Sequence, residues 1–472
     1  MNTETSAHTV GFIGLGVMGE SLALNLLRHG HAVVGFDASP ERREAFKQRT
    51  GGQTRVAASL SAVLSVLPSP RLLWLMVPAG QPVDEVIERL KDRLSPGDVV
   101  IDGGNSHYDD TERRCRSLAN LGVHYLGMGV SGGQEGALRG PAMMPGGHPE
   151  AWARVKDWLP QMAAQAPDGH RCCQWMGEGG AGHFVKMVHN GIEYADMQLL
   201  GEAYALLQHG LGLSAPQMAE VFEGWNRDWL ASYLMDITVD ILRRVDDVTG
   251  RPLVDLIVDK AEQKGTGRWT SEAALAFGVP TPTLTAAVFA RTTSALRHQR
   301  LQLSSVLAGP VQPPSPDANW VQSLGQALLA ARLATYAQGL DLIHTASLER
   351  EWHIPLTTVT SVWRAGCILR GQLLEPLGQA LARGNPGHLL LDAELSQVLQ
   401  SQLPALRSVV RDATAWGVPV PCLSSALTHV DAMRSARLPA NLLQAQRDYF
   451  GAHTYERLDQ PGKFHTEWRA LD

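Results

Sequence analysis

The run at residues 10–37, VGFIGLGVMGESLALNLLRHGHAVVGFD, constrains the fold more than any other part of the chain. An apolar stretch of strand character leads into Gly14, Gly16 and Gly19 at GxGxxG spacing, a helical segment follows, and a second apolar stretch ends in Asp37. A dinucleotide-binding βαβ unit requires that order: the first glycine permits a tight turn, the second lets backbone approach a pyrophosphate, and the third lets helix and sheet pack closely. The unpaired N–H groups at the start of the helix then face the phosphates. A carboxylate at the position of Asp37 can accept hydrogen bonds from an unmodified adenine ribose and repels a 2′-phosphate, so the loop predicts a preference for NAD over NADP. Arg42 and Arg43 lie close enough along the chain to receive a phosphate instead.

Through the first ~180 residues short apolar runs alternate with amphipathic segments, the pattern of helices packed on a parallel sheet. Strands are expected over 10–14, 32–36, 72–77, 99–102 and 124–126. From about residue 182 onward, long segments of helical period rich in Ala and Leu take over. The expected architecture is an α/β Rossmann-type dinucleotide-binding domain over 1–180, an all-helical domain over 181–440 for substrate and dimerisation, and an extended tail over 441–472. GPVQPPSP at 309–316 breaks the helical pattern and reads as a loop between two halves of the helical domain. Residues 194–225 can be laid loosely over 332–363 without a gap, a weak internal repeat.

Composition narrows the partners. A formal charge of −6 and a pI near 6.3 leave no basic footprint for a nucleic-acid backbone. Five cysteines without Cys-x-x-Cys spacing argue against a disulfide framework or a zinc site, and adjacent Cys172 and Cys173 read as buried thiols. The start, MNTETSAHTV, lacks a basic segment followed by an apolar one, and no apolar run reaches membrane-spanning length. A cytoplasmic location is the expectation.

The segment GGAGHFVKMVHNGIEYADMQLL, residues 179–200, carries the most chemistry. Lys186, His189, Asn190 and Glu193 fall at i, i+3, i+4 and i+7, one stripe of one helix. Their neighbours Phe184, Val185, Met187, Val188, Ile192 and Met197 are apolar, so the helix should be buried and the stripe should face a cleft. The competing reading is an ordinary solvent face. Against it, the second copy of the repeat places Leu324, Ala327, Leu328 and Ala331 at the matching positions, and lysine is rare in a chain that uses arginine for most cations. Lysine can lose its proton when desolvated and arginine cannot, which makes Lys186 a candidate base, with partial burial beside another cation lowering its pKa. Glu193 could act as the complementary acid if apolar surroundings raise its pKa.

Further motifs are IDGGNSHYDDT (101–111), GVSGGQEGA (129–137), GPAMMPGG (140–147), QKGTGRWT (263–270) and QRDYFGAHTYE (446–456). With the glycine loop and the 182–199 helix they make the chain similar, over essentially its whole length, to the 6-phosphogluconate dehydrogenase family of the wider β-hydroxyacid dehydrogenases. The resemblance implies metal-independent oxidative decarboxylation of 6-phosphogluconate to ribulose 5-phosphate in the pentose phosphate pathway, with NADP or NAD as cofactor. It implies Lys186 as base, Glu193 as acid, and His189 and Asn190 as residues that orient substrate. Asn105 would touch cofactor and substrate, and Ser131, Gly132 and Gly133 would hold the substrate carboxylate. Tyr194, Lys264, Thr266 and Arg291, with Arg447 and His453 from the tail, match the family's phosphate and sugar contacts. The cofactor set implied is Gly14, Leu15, Gly16, Val17, Met18 and Gly19, then Asp37, Ala38 and Ser39, then Val77, Pro78 and Ala79. The family's tail threads into its neighbour, so the resemblance also implies a homodimer with exchanged tails, and a chain ending at Pro439 is expected to lose catalysis.

The chain departs from the family pattern where NADP binds. Asp37, Ala38 and Ser39 replace Asn-Arg-Thr, Pro78 replaces a lysine, and Gln134 replaces a glutamate beside the carboxylate turn. Two other readings remain: a dehydrogenase of a small unphosphorylated β-hydroxy acid, which would not need Arg291, Lys264, Arg447 and His453, and a non-catalytic dinucleotide-binding protein, which would not need Lys186 and Glu193.

Overall fold

The computed structural model describes residues 7–263, 265–310, 318–384 and 387–469. By its contacts the chain forms two compact units, Met1–Ala426 and Leu427–Asp472.

The first unit opens on an eight-stranded sheet of order β3-β2-β1-β4-β5-β6-β7-β8. Its strands are β1 Thr9–Ile13, β2 Ala32–Phe36, β3 Arg55–Val56, β4 Leu72–Leu75, β5 Val99–Asp102, β6 His124–Ser131, β7 Ala142–Gly147 and β8 Gly177–Glu178. Neighbours are parallel except β6 and β7, which run antiparallel from Leu126↔Gly147 to Ser131↔Ala142. Val10 and Phe12 of β1 pack with Leu22 and Leu26 on one face, and Ile13 packs with Val63 and Leu75 on the other. A strand buried on both faces explains the near-continuous apolar runs. Three expected strands end differently: β1 stops at Ile13, β4 stops at Leu75, and β6 extends to Ser131, while β2 and β5 agree. The longer β6 and the unexpected β7 are glycine-rich, GMGVS and AMMPGG, a composition that weakens the strand signal.

Three long helices form the middle of the same unit: Ala181–Ala205, Trp320–Glu349 and Ala393–Trp416. The first two are joined by a buried bidentate pair, Arg332 Nε to Asp196 Oδ1 at 2.5 Å and Nη2 to Oδ2 at 3.1 Å. Leu230 O accepts from Nη1 and Ser232 Oγ from Nη2. Most of the proline loop expected at 309–316 lies outside the described residues. Among the described residues no helix is long and apolar enough to cross a membrane. Cys172 and Cys173 are buried, as expected of structural thiols, and burial holds both thiols protonated.

The second unit does not begin extended. A helix spans Ala440–Gly451 before the chain turns into a short hairpin pairing Tyr455–Glu456 with Lys463–Phe464. The helix was hidden from pattern reading because its apolar residues face solvent, Leu442 and Leu443 included.

Candidate active site

The strand order reverses between β1 and β4, and a crevice opens there beyond the carboxyl ends of the strands, where open α/β sheets bind ligands. Gly14 leaves β1 with φ +99° and donates its N–H to Phe36 O at 2.8 Å, while Met76 N–H reaches Ile13 O at 2.7 Å. A Cβ on Gly14 would stand 2.3 Å from Met76 O, so a side chain is excluded there. A Cβ on Gly16 would meet nothing nearer than Arg42 Nη1 at 3.7 Å, which leaves the backbone bare beneath open space. A pyrophosphate needs such a cradle, and the helix Val17–Arg28 starts directly behind it. The residues therefore fit a bound dinucleotide.

The cleft above this loop has a volume of about 840 Å³. Gly16, Val17, Met18 and Gly19 form one wall, Val77, Pro78 and Ala79 another, and Asn105 overhangs from the loop after β5. The other expected cofactor residues are not in its lining: Gly14, Leu15 and Asp37 are buried, and Ala38 and Ser39 lie beyond Asp37. Leu15 contributes its backbone. Its N–H donates to Asp37 Oδ2 at 2.7 Å, and Ser39 N–H donates to Oδ1 at 2.9 Å, so this carboxylate ties the glycine loop to the end of β2. Arg42 Nη1 approaches Asp37 Oδ2 at 3.7 Å and is the only cation among the described residues of the lining.

The opposite wall comes from the helix Ala181–Ala205, through Asn190, Glu193 and Tyr194, and from Thr266 and Trp269 of the helix Thr266–Ala276. Lys186 lies one turn below Asn190 and is 7% exposed. Its Nζ stands 3.5 Å from His189 Nδ1, which is 3.2 Å from Asn190 Oδ1 and 3.7 Å from Glu193 Oε2. Ser131 Oγ lies 3.3 Å from His189 Nε2 at the end of β6, and Asn190 Nδ2 donates to Thr266 Oγ1 at 3.1 Å. The stripe on the helix is thus buried and knitted to two neighbouring elements. Met197 is the exception among its apolar neighbours, being exposed with its sulfur 3.4 Å from Arg291 Nη2.

Burial sets the charges. Desolvation lowers the Lys186 pKa against the attraction of Glu193, and among the described residues no second cation adds to that shift. Desolvation raises the Glu193 carboxyl against Lys186 and Arg291. His189 is held neutral by burial and by Lys186. A base that gives up its proton easily and an acid that keeps its own share one helix face, the opposed environments that separate acid from base.

Gly132 and Gly133 follow Ser131 with φ +130° and +64°, values that admit little but glycine. Arg291 stands over the Tyr194 ring, its guanidinium carbon 3.4 Å from the centroid, and donates to Glu262 O. Lys264 lies outside the described residues, and Gln134 is exposed with nothing in the structure to explain its replacement of glutamate. Arg447 and His453 are exposed in the second unit. Trp269 and Met76 line the cleft but were not singled out from the sequence. Trp269 sits inside the quoted QKGTGRWT motif, where an aromatic beside glycines was the available signal; Met76 carried none. Among the described residues no three His, Cys, Asp or Glu side chains converge as a metal site would require.

Comparison with known proteins agrees with this geometry. Residues 9–177 match the NAD binding domain of 6-phosphogluconate dehydrogenase, and 182–468 match the 6-phosphogluconate dehydrogenase C-terminal domain. A Bacillus subtilis protein described as 6-phosphogluconate dehydrogenase, NADP(+)-dependent, decarboxylating is 47% identical over 98% of this chain and 99% of its own length. A decarboxylating 6-phosphogluconate dehydrogenase of Escherichia coli is 46% identical over the same shares. The solved Plasmodium falciparum 6-phosphogluconate dehydrogenase, described in its apo form and in complex with NADP+ and with 6-phosphogluconate, superposes with a TM-score of 0.94. It is 38% identical and covers 98% of this chain and 100% of its own.

Proposed function

The chain belongs to the 6-phosphogluconate dehydrogenase family and carries out the oxidative decarboxylation of 6-phosphogluconate, and we propose that Lys186 and Glu193 divide its proton transfers. One observation carries this reading: a lysine buried where its helix lies against β6, one turn below cleft-lining Asn190 and two turns from Glu193.

A dinucleotide held by the glycine loop and by Val77, Pro78 and Ala79 would supply the acceptor for a hydride from C3 of the substrate. Neutral Lys186 takes the proton of the C3 hydroxyl as that carbon becomes a ketone. The ketone stands β to the carboxylate, so the C1–C2 bond can break with its electron pair drawn toward the C3 oxygen. Lys186, now an ammonium, stabilises that oxygen as CO2 leaves. Glu193 then protonates the former C2 as the oxygen at the former C3 becomes the ketone of ribulose 5-phosphate, and the ammonium proton of Lys186 restores the Glu193 carboxyl. His189 and Asn190 orient the hydroxyl and carboxylate, Ser131 with Gly132 and Gly133 seats the carboxylate, and Asn105 meets substrate and dinucleotide together. Tyr194, Thr266, Arg291 and Lys264 receive the sugar and phosphate. Arg447 and His453 complete the site of a second copy in a homodimer with exchanged tails, in the cytoplasm.

For the nucleotide, NAD is preferred to NADP. Ala38 offers no cation to a 2′-phosphate, and the Asp37 carboxylate ends the strand beside which the adenine ribose would lie. Arg42 is the group that works against this choice. Purified protein incubated with 6-phosphogluconate and each nucleotide separately, with reduced nicotinamide and released CO2 followed together, tests both parts. Equimolar CO2 and reduced nicotinamide are expected. Reduction without CO2 overturns the decarboxylation, and a kcat/KM about tenfold or more in favour of NADP overturns the nucleotide choice.

A further inference from the structure

The helix Ala440–Gly451 has a single buried residue, and it is a carboxylate, Asp448. A helix is ordinarily anchored through an apolar stripe, and this one shows Leu442, Leu443 and Phe450 to solvent instead. Asp448 Oδ1 accepts from Thr454 N–H and from His465 Nδ1–H, both at 2.9 Å. Its Oδ2 accepts from Thr466 N–H at 3.1 Å and Trp468 Nε1–H at 2.8 Å. The donors come from the turn after the helix and from the strand-and-tail segment beyond the hairpin. His453 sits inside that turn between Ala452 at φ +49° and Thr454 at φ +59°, two non-glycine residues in left-handed backbone that something must hold. Gln444 links the same turn to Arg447: it donates to Thr454 O at 2.6 Å and accepts from Arg447 Nη1 at 3.2 Å. Burial pushes the Asp448 pKa up, and hydrogen bonds from His465, Trp468, Thr466 and Thr454 outweigh it, leaving the group ionised down to about 2.

We propose that Asp448 is a positioning residue for substrate binding: its carboxylate gathers the turn and the distal segment about the helix end and so fixes the backbone that presents Arg447 and His453. This rests on the reading that those two residues bind the phosphorylated end of the substrate. Asp448 touches no substrate itself. It sits one residue from Arg447 and five from His453.

The test measures steady-state constants of the full-length chain carrying Asp448→Asn, alone and combined with Arg447→Ala and His453→Ala. Alone, Asp448→Asn is expected to raise KM for 6-phosphogluconate about tenfold, leaving KM for the dinucleotide within about twofold. In the double-alanine background it is expected to add less than about twofold, because the groups it positions are gone. An unchanged KM for Asp448→Asn, beside a raised KM for the double-alanine chain, overturns the positioning role while the tail reading stands. A full-sized added effect in that background overturns it as well. An unchanged KM in the double-alanine chain removes both readings. Trp468→Phe deletes one donor with little change of shape and covers the case in which Asp448→Asn fails to fold: a KM for 6-phosphogluconate raised about twofold to threefold supports the role, and an unchanged one overturns it.

Discussion

Gly129 and Lys186 touch: a Cβ on Gly129 would lie 2.3 Å from the Cβ of Lys186. A Cβ on Gly182, one turn earlier on the same helix, would lie 2.4 Å from Gly127 O and from Met144 O. The helix that carries Lys186 therefore rests directly on the backbone of β6 and β7, and the lysine stem is pressed against a strand that carries no side chain at that point. Close packing of this kind keeps water from the stem and holds the ammonium at one height.

Gly129→Ala should lift the helix from the strand and displace Lys186. A misplacement near an ångström costs about a hundredfold in kcat. Dinucleotide binding, followed by fluorescence titration, should persist because the glycine loop is untouched. A kcat within about threefold of the parent would show that this contact does not hold the lysine in place.

Lys186→Arg keeps a cation but removes the proton transfer, because a guanidinium does not deprotonate under working conditions. Its kcat should fall about a thousandfold while 6-phosphogluconate still binds. Near-normal turnover would assign the base to another residue.

The directions of the two shifts set the pH profile. As the proposed base, Lys186 must be neutral to act, so activity should rise with pH through its lowered pKa. As the proposed acid, Glu193 must carry a proton to act, so activity should fall as pH rises through its raised pKa. Glu193→Gln should lower kcat about a hundredfold and abolish the alkaline decline in what remains. A residual activity that still declines in alkali would place the acid elsewhere.

Arg42→Ala should lower kcat/KM for NADP about tenfold and leave that for NAD within about twofold, since only the former has a phosphate for the guanidinium to meet. Equal losses for both nucleotides would mean that Arg42 acts through the glycine loop as a whole.

Glu202 links pH to stability. Burial pushes its carboxyl up to about 7, against N–H groups donated by Leu423 and Cys422. Its folded pKa is thus above the ordinary 4.5, so its contribution is complete below pH 4.5 and is lost as pH rises through about 7. At ~1.4 kcal/mol per unit the loss is a few kcal/mol. Melting temperature should fall between pH 5 and pH 8, and Glu202→Gln should flatten that slope; an equal slope in both proteins would remove Glu202 as the cause.

The nucleotide fold and the polar stripe were legible because both are local. Glycine spacing sets a turn within six residues, and a 3.6-residue period places Lys186, His189, Asn190 and Glu193 on one face whatever surrounds the helix. The β6–β7 pairing was not legible, since glycine-rich strands carry little alternation to read. Asp37 was expected to face a ribose; what the structure shows is that its carboxylate accepts from Leu15 N–H, a bond across 22 residues that no spacing rule announces.

Local order along the chain thus sufficed for the βαβ unit, the helical half and the identity of the candidate acid and base, because backbone sterics and side-chain periodicity act over a few neighbours. The proton affinities of Lys186 and Glu193 were settled elsewhere. They depend on desolvation, which is a property of what packs around a group: the bare backbone of β6 under the lysine, Thr266 against Asn190, and Ser131 against His189. Those partners come from segments 57 to 76 residues away along the chain, and they meet only once the helix lies on the sheet.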